Sequence, residues 1–229
     1  PRGLKVGPNR QYLFVALSGS PPSPPGVDAS TLPPPDREAD GIGIVDLSIN
    51  KLARVLNAGT DPEQLSLSND GMNMFVANED AGTLSIVEIA TGALTKTLPV
   101  GREPEGVTTS PDGRYVYVTS EEDNQVSVID TKIKEVTAQF PVGPRPRGVA
   151  FSPKFPRAFV TSENGSSVSV VDTTSHTVVD EFSVPGNPSR PMGITVSPNG
   201  SLLFVTTGRG KTVVALDANL GTVIGSVEV

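Results

Sequence analysis

The chain has 229 residues and a net charge of −7, which argues against a nucleic-acid partner because neutralising phosphate groups needs clustered Lys and Arg. It contains no cysteine, so disulfides, thiolate nucleophiles and cysteine-based zinc sites are excluded. No stretch has enough consecutive apolar residues to cross a bilayer, and we therefore expect no membrane span.

A segment with the same pattern recurs along the chain. The copies read "PRGLKVGPNRQYLFVAL" (1–17), "TDPEQLSLSNDGMNMFVAN" (60–78), "REPEGVTTSPDGRYVYVTS" (102–120), "PRPRGVAFSPKFPRAFVTS" (144–162) and "SRPMGITVSPNGSLLFVTT" (189–207). Positions 64, 106, 148 and 193 are equivalent in the last four copies, so the period is 42, 42 and 45 residues. A period of this length is typical of β-propeller blades.

Each copy predicts four short strands. In the third copy they are "GVTTS", "YVYVTS", "QVSVID" and "EVTAQFPV", which alternate with period two and are rich in β-branched and aromatic residues. The tight turn "SPDG" (110–113) separates the first two strands, whereas "SPKF" (152–155) lacks the glycine and must turn differently. We predict one all-β domain over 1–229, with antiparallel blades at about 1–59, 60–101, 102–143, 144–188 and 189–229.

The second strands carry a family signature. "YVTS" (117–120), "FVTS" (159–162), "FVTT" (204–207) and "FVAN" (75–78) resemble the YVTN repeat of a β-propeller family that includes surface-layer proteins. Members of this family are often periplasmic or surface-associated, so the resemblance implies a periplasmic or extracellular location. It also implies about seven blades, and the five here predict a fragment of a larger propeller. Two alternatives stay open, in which five blades close by themselves or an open ring is completed by self-association.

The segments between blades carry most of the candidate binding residues. At equivalent positions they present Asp61, Glu63, Glu103, Glu105, Arg145, Arg147 and Arg190, with Arg2 in the first copy. Because repeat-equivalent residues encircle a propeller channel, this ring is acidic on two blades and basic on the next two. One interpretation is structural pairing of Glu105 with Arg147. The other is a site whose mixed charge orients a dipolar or anionic ligand.

Three further features bear on function. The insertion at 18–40 has seven prolines among 23 residues, so it cannot form a helix. It is either a lid or a partner contact, or a loop without a function of its own. The acidic loop "EEDN" (121–124) is expected to be a solvated hairpin tip. The only histidine, His176, is expected to be an exposed turn residue. With one histidine in the sequence, a Ser-His-Asp triad or a histidine-rich metal site is not expected. We expect neither a metal nor a cofactor.

Two functions are consistent with these residues. The first is a non-catalytic extracytoplasmic propeller that binds a protein or a small polar ligand at the channel mouth. The second is an enzyme similar to lactonase-type or dehydrogenase-type propellers. That similarity implies Glu105 or Glu63 as the general base and Arg147, Arg145 or Arg190 as oxyanion-stabilising groups. A haem-associated or quinone-associated role would need ligands from another chain.

Overall fold

A computed structural model describes residues 1–21, 27–28 and 31–229, and these residues form five four-stranded antiparallel sheets. The first blade consists of β1 (Leu4–Val6), β2 (Tyr12–Leu17), β3 (Gly41–Asp46) and β4 (Lys51–Leu56). The second consists of β5 (Pro62–Leu67), β6 (Asn73–Asn78), β7 (Thr83–Glu88) and β8 (Leu94–Pro99). The third consists of β9 (Pro104–Thr109), β10 (Tyr115–Ser120), β11 (Gln125–Asp130) and β12 (Glu135–Pro141).

The remaining two blades follow the same order. The fourth consists of β13 (Pro146–Phe151), β14 (Arg157–Ser162), β15 (Ser167–Asp172) and β16 (Thr177–Ser183), and the fifth of β17 (Pro191–Val196), β18 (Leu202–Thr207), β19 (Thr212–Asp217) and β20 (Val223–Glu228). Within the described part of the insertion, a 3₁₀ turn spans Arg37–Ala39. The predicted all-β propeller with five four-stranded blades is confirmed. No helix in the part of the chain that the structure describes is long and apolar enough to cross a membrane.

The turns between first and second strands follow the sequence. In blade 3, the Ser110 hydroxyl donates to the Asp112 carboxylate at 2.6 Å, and the Gly113 amide donates to the Ser110 carbonyl at 2.9 Å. Gly113 has a φ of +73°, which favours glycine at this position. In blade 4, where no glycine is present, the Arg157 amide instead donates to the Phe155 carbonyl at 2.7 Å. The prediction of a different turn at 152–155 is therefore confirmed.

The core lies between blades rather than within them. Each of the four buried clusters combines side chains from two successive sheets, as where Phe75 of blade 2 joins Val116 of blade 3. Full burial of one such aromatic side chain contributes about 1.5–3 kcal/mol. The blades are therefore held in sequence by apolar contacts, and their order around the axis fixes which innermost strands are neighbours.

The threonine of the repeated signature fastens the innermost strands to one another. In blade 3, Thr119 Oγ1 accepts from the Gly106 amide at 2.8 Å and donates to the Arg147 carbonyl of blade 4 at 2.8 Å. In blade 4, Thr161 Oγ1 likewise accepts from the Gly148 amide at 2.8 Å and donates to the Met192 carbonyl at 2.6 Å. These bonds set the spacing of the side chains that reach the channel.

Candidate functional site

The residue before the proline of each inter-blade segment has an unusual backbone conformation. Asp61, Glu103, Arg145 and Arg190 have φ between +48° and +55°. Positive φ is uncommon outside glycine, and a following proline further restricts the backbone. In all four of these blades the carbonyl of this residue accepts from the amide of the residue that follows the second strand, as in Glu121 N–H to Glu103 at 3.0 Å. This turn brings the inter-blade segment beside the loop between the second and third strands.

Five equivalent residues, one from each blade, border a cavity of about 540 Å³ at the axis. They are Arg2, Glu63, Glu105, Arg147 and Met192, and we call the cavity that they border the channel mouth. Neighbouring residues of the innermost strands, among them Gly106, Gly148 and Gly193, form the rest of its wall. A volume in this range is typical of small-molecule sites.

The basic side of the channel mouth is a network of ion pairs. Arg147 Nη1 lies 2.7 Å from Glu105 Oε1, and the same guanidinium contacts Glu121. Arg145 Nη2 lies 2.8 Å from Glu121 Oε2, and its Nε lies 3.0 Å from Glu163 Oε2. The carboxylates of blades 3 and 4 therefore alternate with the arginines of blade 4.

Glu121 is the most enclosed member of this network. Its side chain is only 2% exposed, so the expectation of a solvated hairpin tip at 121–124 is wrong for this residue. A buried carboxylate is tolerated only when it is paired, and Arg145 and Arg147 supply two cations. Its neighbour Glu122 fits the original expectation, with 47% of its side chain exposed.

The acidic side is built around Glu63, whose side chain is 6% exposed. Its Oε1 lies 3.1 Å from Arg2 Nε. Burial, reinforced by the nearby Glu105 carboxylate, raises the pKa of Glu63 to about 9 in spite of Arg2. Burial also raises the pKa of Glu79, which shares a hydrogen bond with Glu63. Burial therefore favours the protonated form of Glu63, in which its hydroxyl donates the hydrogen bond and the Glu79 carboxylate accepts it.

The same desolvation acts on Glu105. Burial raises the pKa of Glu105, although Arg147 opposes the shift. Arg147 remains a cation because a guanidinium is not deprotonated in proteins. Two guanidinium groups, of Arg2 and Arg147, therefore face two carboxyl groups at the channel mouth. Burial favours the neutral form of Glu63, and in Glu105 burial favours the neutral form while Arg147 favours the carboxylate.

Oxygen ligands for a cation are close together on the acidic side. Carboxylate oxygens of Asp61, Glu63 and Glu79 lie within 4.8 Å of one another, a spacing that suits a hard metal ion. Each already has a partner, however. Asp61 accepts from the Ser20 hydroxyl at 2.6 Å, and Glu63 lies between Arg2 and Glu79. We therefore assign no metal to this cluster.

The described part of the insertion covers this acidic cluster. Arg37 Nη1 lies 3.3 Å from Asp40 and 3.9 Å from Asp61, and its guanidinium also contacts Asp80. The Asp40 carboxylate accepts from the Asp61 amide at 3.0 Å. The insertion is thus tied to blade 2 beside the channel mouth. Within the insertion at 18–40, where the proline-rich lid or partner contact was predicted, residues 22–26 and 29–30 lie outside the described residues.

The structure separates the sequence-predicted site residues into three groups. Glu63, Glu105 and Arg147 border the channel mouth. Arg145 and Arg190 do not border it, and each instead forms an ion pair with Glu163. Arg190 Nη1 lies 3.6 Å from Glu163 Oε1.

The other two predicted residues lie to the side. Asp61 is under the insertion, and Glu103 lines a separate groove of about 350 Å³ with Arg102 and Glu122. Arg102 forms ion pairs of 2.7 Å with Glu122 and with Asp123. Neither residue borders the channel mouth.

The sequence analysis did not single out two carboxylates of the site, Glu79 and Glu163, and it assigned a third, Glu121, to a solvated hairpin tip. Glu79, Glu121 and Glu163 each follow directly after the second strand of blades 2, 3 and 4. The signal was present, because the three glutamates are equivalent in the repeat. Their adjacency to other polar residues made them look like ordinary loop positions.

His176 lies in the turn between β15 and β16 and is half-buried, not exposed as expected. Its Nδ1 is 2.6 Å from the Tyr117 hydroxyl, and its ring packs edge-on to Tyr115 with centroids 4.8 Å apart. Burial lowers the pKa of His176. The ring is thus part of the packing between blades 3 and 4, and it does not border the channel mouth.

No family model matches the chain, and no curated protein sequence is similar to it. Among solved structures, 1563 chains match, so the architecture is common and does not by itself distinguish between functions. One of them is a hydrazine synthase chain from Kuenenia stuttgartiensis, with a TM-score of 0.69 and 18% sequence identity. The match covers 96% of this chain and 77% of that chain. At this identity the likeness shows a shared β-propeller fold.

Proposed function

We propose that the chain is a non-catalytic propeller that binds a small, polar, carboxylate-bearing molecule at the channel mouth. The observation that carries this proposal is the cavity of about 540 Å³ that five equivalent inner-strand residues border. We also propose an extracytoplasmic location and membership of the YVTN-repeat family, on the sequence signature alone.

The charges around the cavity support a carboxylate-bearing ligand. Arg2 has 38% of its side chain exposed and Arg147 has 18%, so both guanidinium groups can still be reached by a ligand. Guanidinium groups bind carboxylates in a paired, planar geometry. Glu105 can accept a hydrogen bond from a hydroxyl or amine of the same molecule. A hydroxy acid or an amino acid combines these groups.

A thermal-shift and calorimetry screen of amino acids, hydroxy acids and dicarboxylates tests the proposal. We expect at least one compound class to bind the unmodified chain and to lose affinity at least about tenfold in Arg147→Met, the size of one lost charged hydrogen bond. Arg114→Met is the matched control, since Arg114 is 64% exposed and lies outside the channel mouth. Equal loss in both variants, or no binding by any compound, contradicts the proposal.

An enzyme is the second candidate, and one observation favours it. Glu105 combines a raised pKa with a contact of 2.7 Å to Arg147, which is the pairing of a general acid–base group with an anion-stabilising cation. A lactone-hydrolysis screen distinguishes the two functions. Turnover that Glu105→Gln abolishes without changing the melting temperature supports the enzyme, and binding without turnover supports the binding protein.

A further inference from the structure

The turn between β13 and β14 departs from the repeat. In blades 2, 3 and 5 the third and fourth residues of this turn are Asp or Asn followed by Gly, as in Asp112 and Gly113 of blade 3. The same positions in blade 4 hold Lys154 and Phe155. A polar side chain that closes its own turn is thus replaced by a cation, and a glycine is replaced by a large aromatic residue.

The aromatic residue changes the turn and stays at its surface. Gly113 has a φ of +73°, a conformation that bulky side chains disfavour. In blade 4 the Ser152 hydroxyl accepts from the Lys154 amide at 3.3 Å and from the Phe155 amide at 3.2 Å, and Phe155 stays outside the left-handed region. Phe155 is left 50% exposed.

Phe155 borders a groove of about 400 Å³ between blades 3 and 4. We call it the turn groove, because the turns between the first and second strands of both blades line it. The exposed Pro153 and Pro156 extend its apolar border, and Tyr115 of blade 3 contributes to its wall. The turn groove lies at the opposite end of β13 from Arg147, so it is separate from the channel mouth.

The turn groove is basic although the chain as a whole is acidic. Its charged lining residues are three cations and one carboxylate, namely Arg114, Lys154, Arg157 and Asp112, whereas the net charge of the chain is −7. The Asp112 carboxylate accepts from the Ser110 hydroxyl at 2.6 Å and from the Arg114 amide at 3.0 Å, so it is used within its own turn. The turn groove therefore places an excess of positive charge beside an exposed aromatic ring.

The cation of blade 3 can be reached by a ligand. The Arg114 side chain is 64% exposed, and its ion pair with Asp130 is long, at 3.8 Å. Its guanidinium lies over the Tyr115 ring, 4.8 Å from the ring centroid. Because the N–H groups of a guanidinium lie in its own plane, a guanidinium stacked on a ring can still bind a carboxylate.

The two cations of blade 4 can also accept a carboxylate. Lys154 is exposed and forms no ion pair with a residue that the structure describes. Arg157 Nη1 donates to Asn219 Oδ1 at 3.3 Å. Asp172 lies opposite Arg157 in the sheet, but its carboxylate accepts from the Thr174 amide at 2.7 Å. Neither cation is therefore neutralised by a close ion pair.

We propose that the turn groove binds an acidic segment of a partner protein, in which one aromatic or aliphatic side chain lies among Asp and Glu residues. The apolar side chain packs on Phe155, and the carboxylates pair with Arg114, Lys154 and Arg157. Charge complementarity favours this partner, because its carboxylates match the cations and its apolar side chain covers a ring that a simple anion would leave exposed. The proposal does not depend on a ligand at the channel mouth.

A variant that restores the turn of the repeat tests the proposal. Lys154→Asp together with Phe155→Gly gives "SPDG", the sequence that forms this turn in blade 3, so the variant should fold, and circular dichroism checks this. The matched control is Lys132→Asp together with Ile133→Gly. It makes the same change of charge and removes an apolar residue that is 55% exposed, in the turn between β11 and β12 and outside the turn groove.

Fluorescence anisotropy with labelled peptides measures binding. The probes are short peptides that place one Phe, Tyr or Leu among Glu and Asp residues. We expect at least one of them to bind the unmodified chain and the control variant with equal affinity. The restored-turn variant should bind it at least about 30-fold more weakly, as for loss of an interface hot spot. Serine in place of the apolar residue of the peptide should weaken binding at least about tenfold.

Four results would overturn the proposal. The first is that no probe binds the unmodified chain at any concentration up to near-millimolar. The second is an equal loss of affinity in the restored-turn and control variants, which would place the peptide elsewhere. The third is equal binding of the serine peptide, which would show attraction of any anion without the aromatic contact. The fourth is a single-stranded oligothymidylate that binds as tightly as the peptides, which would indicate a nucleic-acid partner.

Discussion

Replacing Glu63 by Gln should remove much of the pH dependence of stability between pH 4.5 and pH 9. Burial raises the pKa of Glu63 from its ordinary 4.5 to about 9 in the folded chain. Below pH 4.5 the carboxyl is protonated in both the folded and the unfolded chain, so burying Glu63 in its neutral form costs no free energy of ionisation. Above that pH the unfolded chain releases the proton and the folded chain keeps it. Stability that is fully present below pH 4.5 is therefore lost as pH rises towards 9.

The size of this loss follows from the pKa difference. One pKa unit corresponds to about 1.4 kcal/mol, which sets an upper limit of about 6 kcal/mol for an isolated group. Glu79 and Glu105 titrate in the same environment, and Arg2 remains 3.1 Å away to stabilise the charged form. We therefore expect Glu63→Gln to exceed the unmodified chain in free energy of unfolding by about 2–3 kcal/mol at pH 9. At pH 4 the two should differ by less than about 0.5 kcal/mol.

Urea unfolding at pH 4, 7 and 9, followed by circular dichroism, measures this difference. The matched control is Glu135→Gln, because the Glu135 side chain is 63% exposed on β12 and makes only a 3.6 Å pair with Lys96. The control should give a curve parallel to that of the unmodified chain. A difference between Glu63→Gln and the unmodified chain that stays constant from pH 4 to pH 9 would refute the reasoning.

Three other substitutions test the packing of the channel mouth and its surroundings. Arg147→Met should lower the free energy of unfolding by about 2–3 kcal/mol, because it leaves the buried Glu121 carboxylate with one cation fewer. Adding Glu121→Gln should restore part of this loss, since the buried side chain is then neutral. Urea unfolding of the single and double variants measures both effects. Gly106→Ala should lower the free energy of unfolding by at least about 2 kcal/mol, because the added Cβ would lie 2.1 Å from the Arg147 carbonyl oxygen. Gly225→Ala is the control, because its Cβ would meet nothing within 4 Å, and it should change the melting temperature little. Tyr117→Phe removes the 2.6 Å hydrogen bond to the only histidine and should cost about 1 kcal/mol in the same assay.

The blades could be predicted because their determinants are local and repeated. The alternation in "YVYVTS" and the turn chemistry of Ser110 and Gly113 act within a few residues, so the sequence shows them directly. The ring of charges in the inter-blade segments followed from the same repetition. Equivalent positions in a repeat occupy equivalent places around an axis.

What could not be predicted depends on partners that are distant in sequence. Glu121 is buried because Arg145 and Arg147, from the next blade, lie against it. His176 is drawn into the packing by Tyr117, which is 59 residues away. Arg37 reaches Asp61 and Asp80 through an insertion that has no counterpart in other copies of the repeat. A local sequence pattern does not predict contacts between side chains that are so far apart in the sequence.

The most direct test of the proposed function is a ligand titration followed by NMR of glycine-labelled protein. The reporters are Gly106, Gly148 and Gly193, which border the channel mouth, and the internal controls are Gly71, Gly113 and Gly200, which lie in the turns between first and second strands. The account predicts that an amino acid, hydroxy acid or dicarboxylate shifts the reporter amides and leaves the control amides in place. Shifts of both sets together, or of neither set with any compound, would contradict a binding site at the channel mouth.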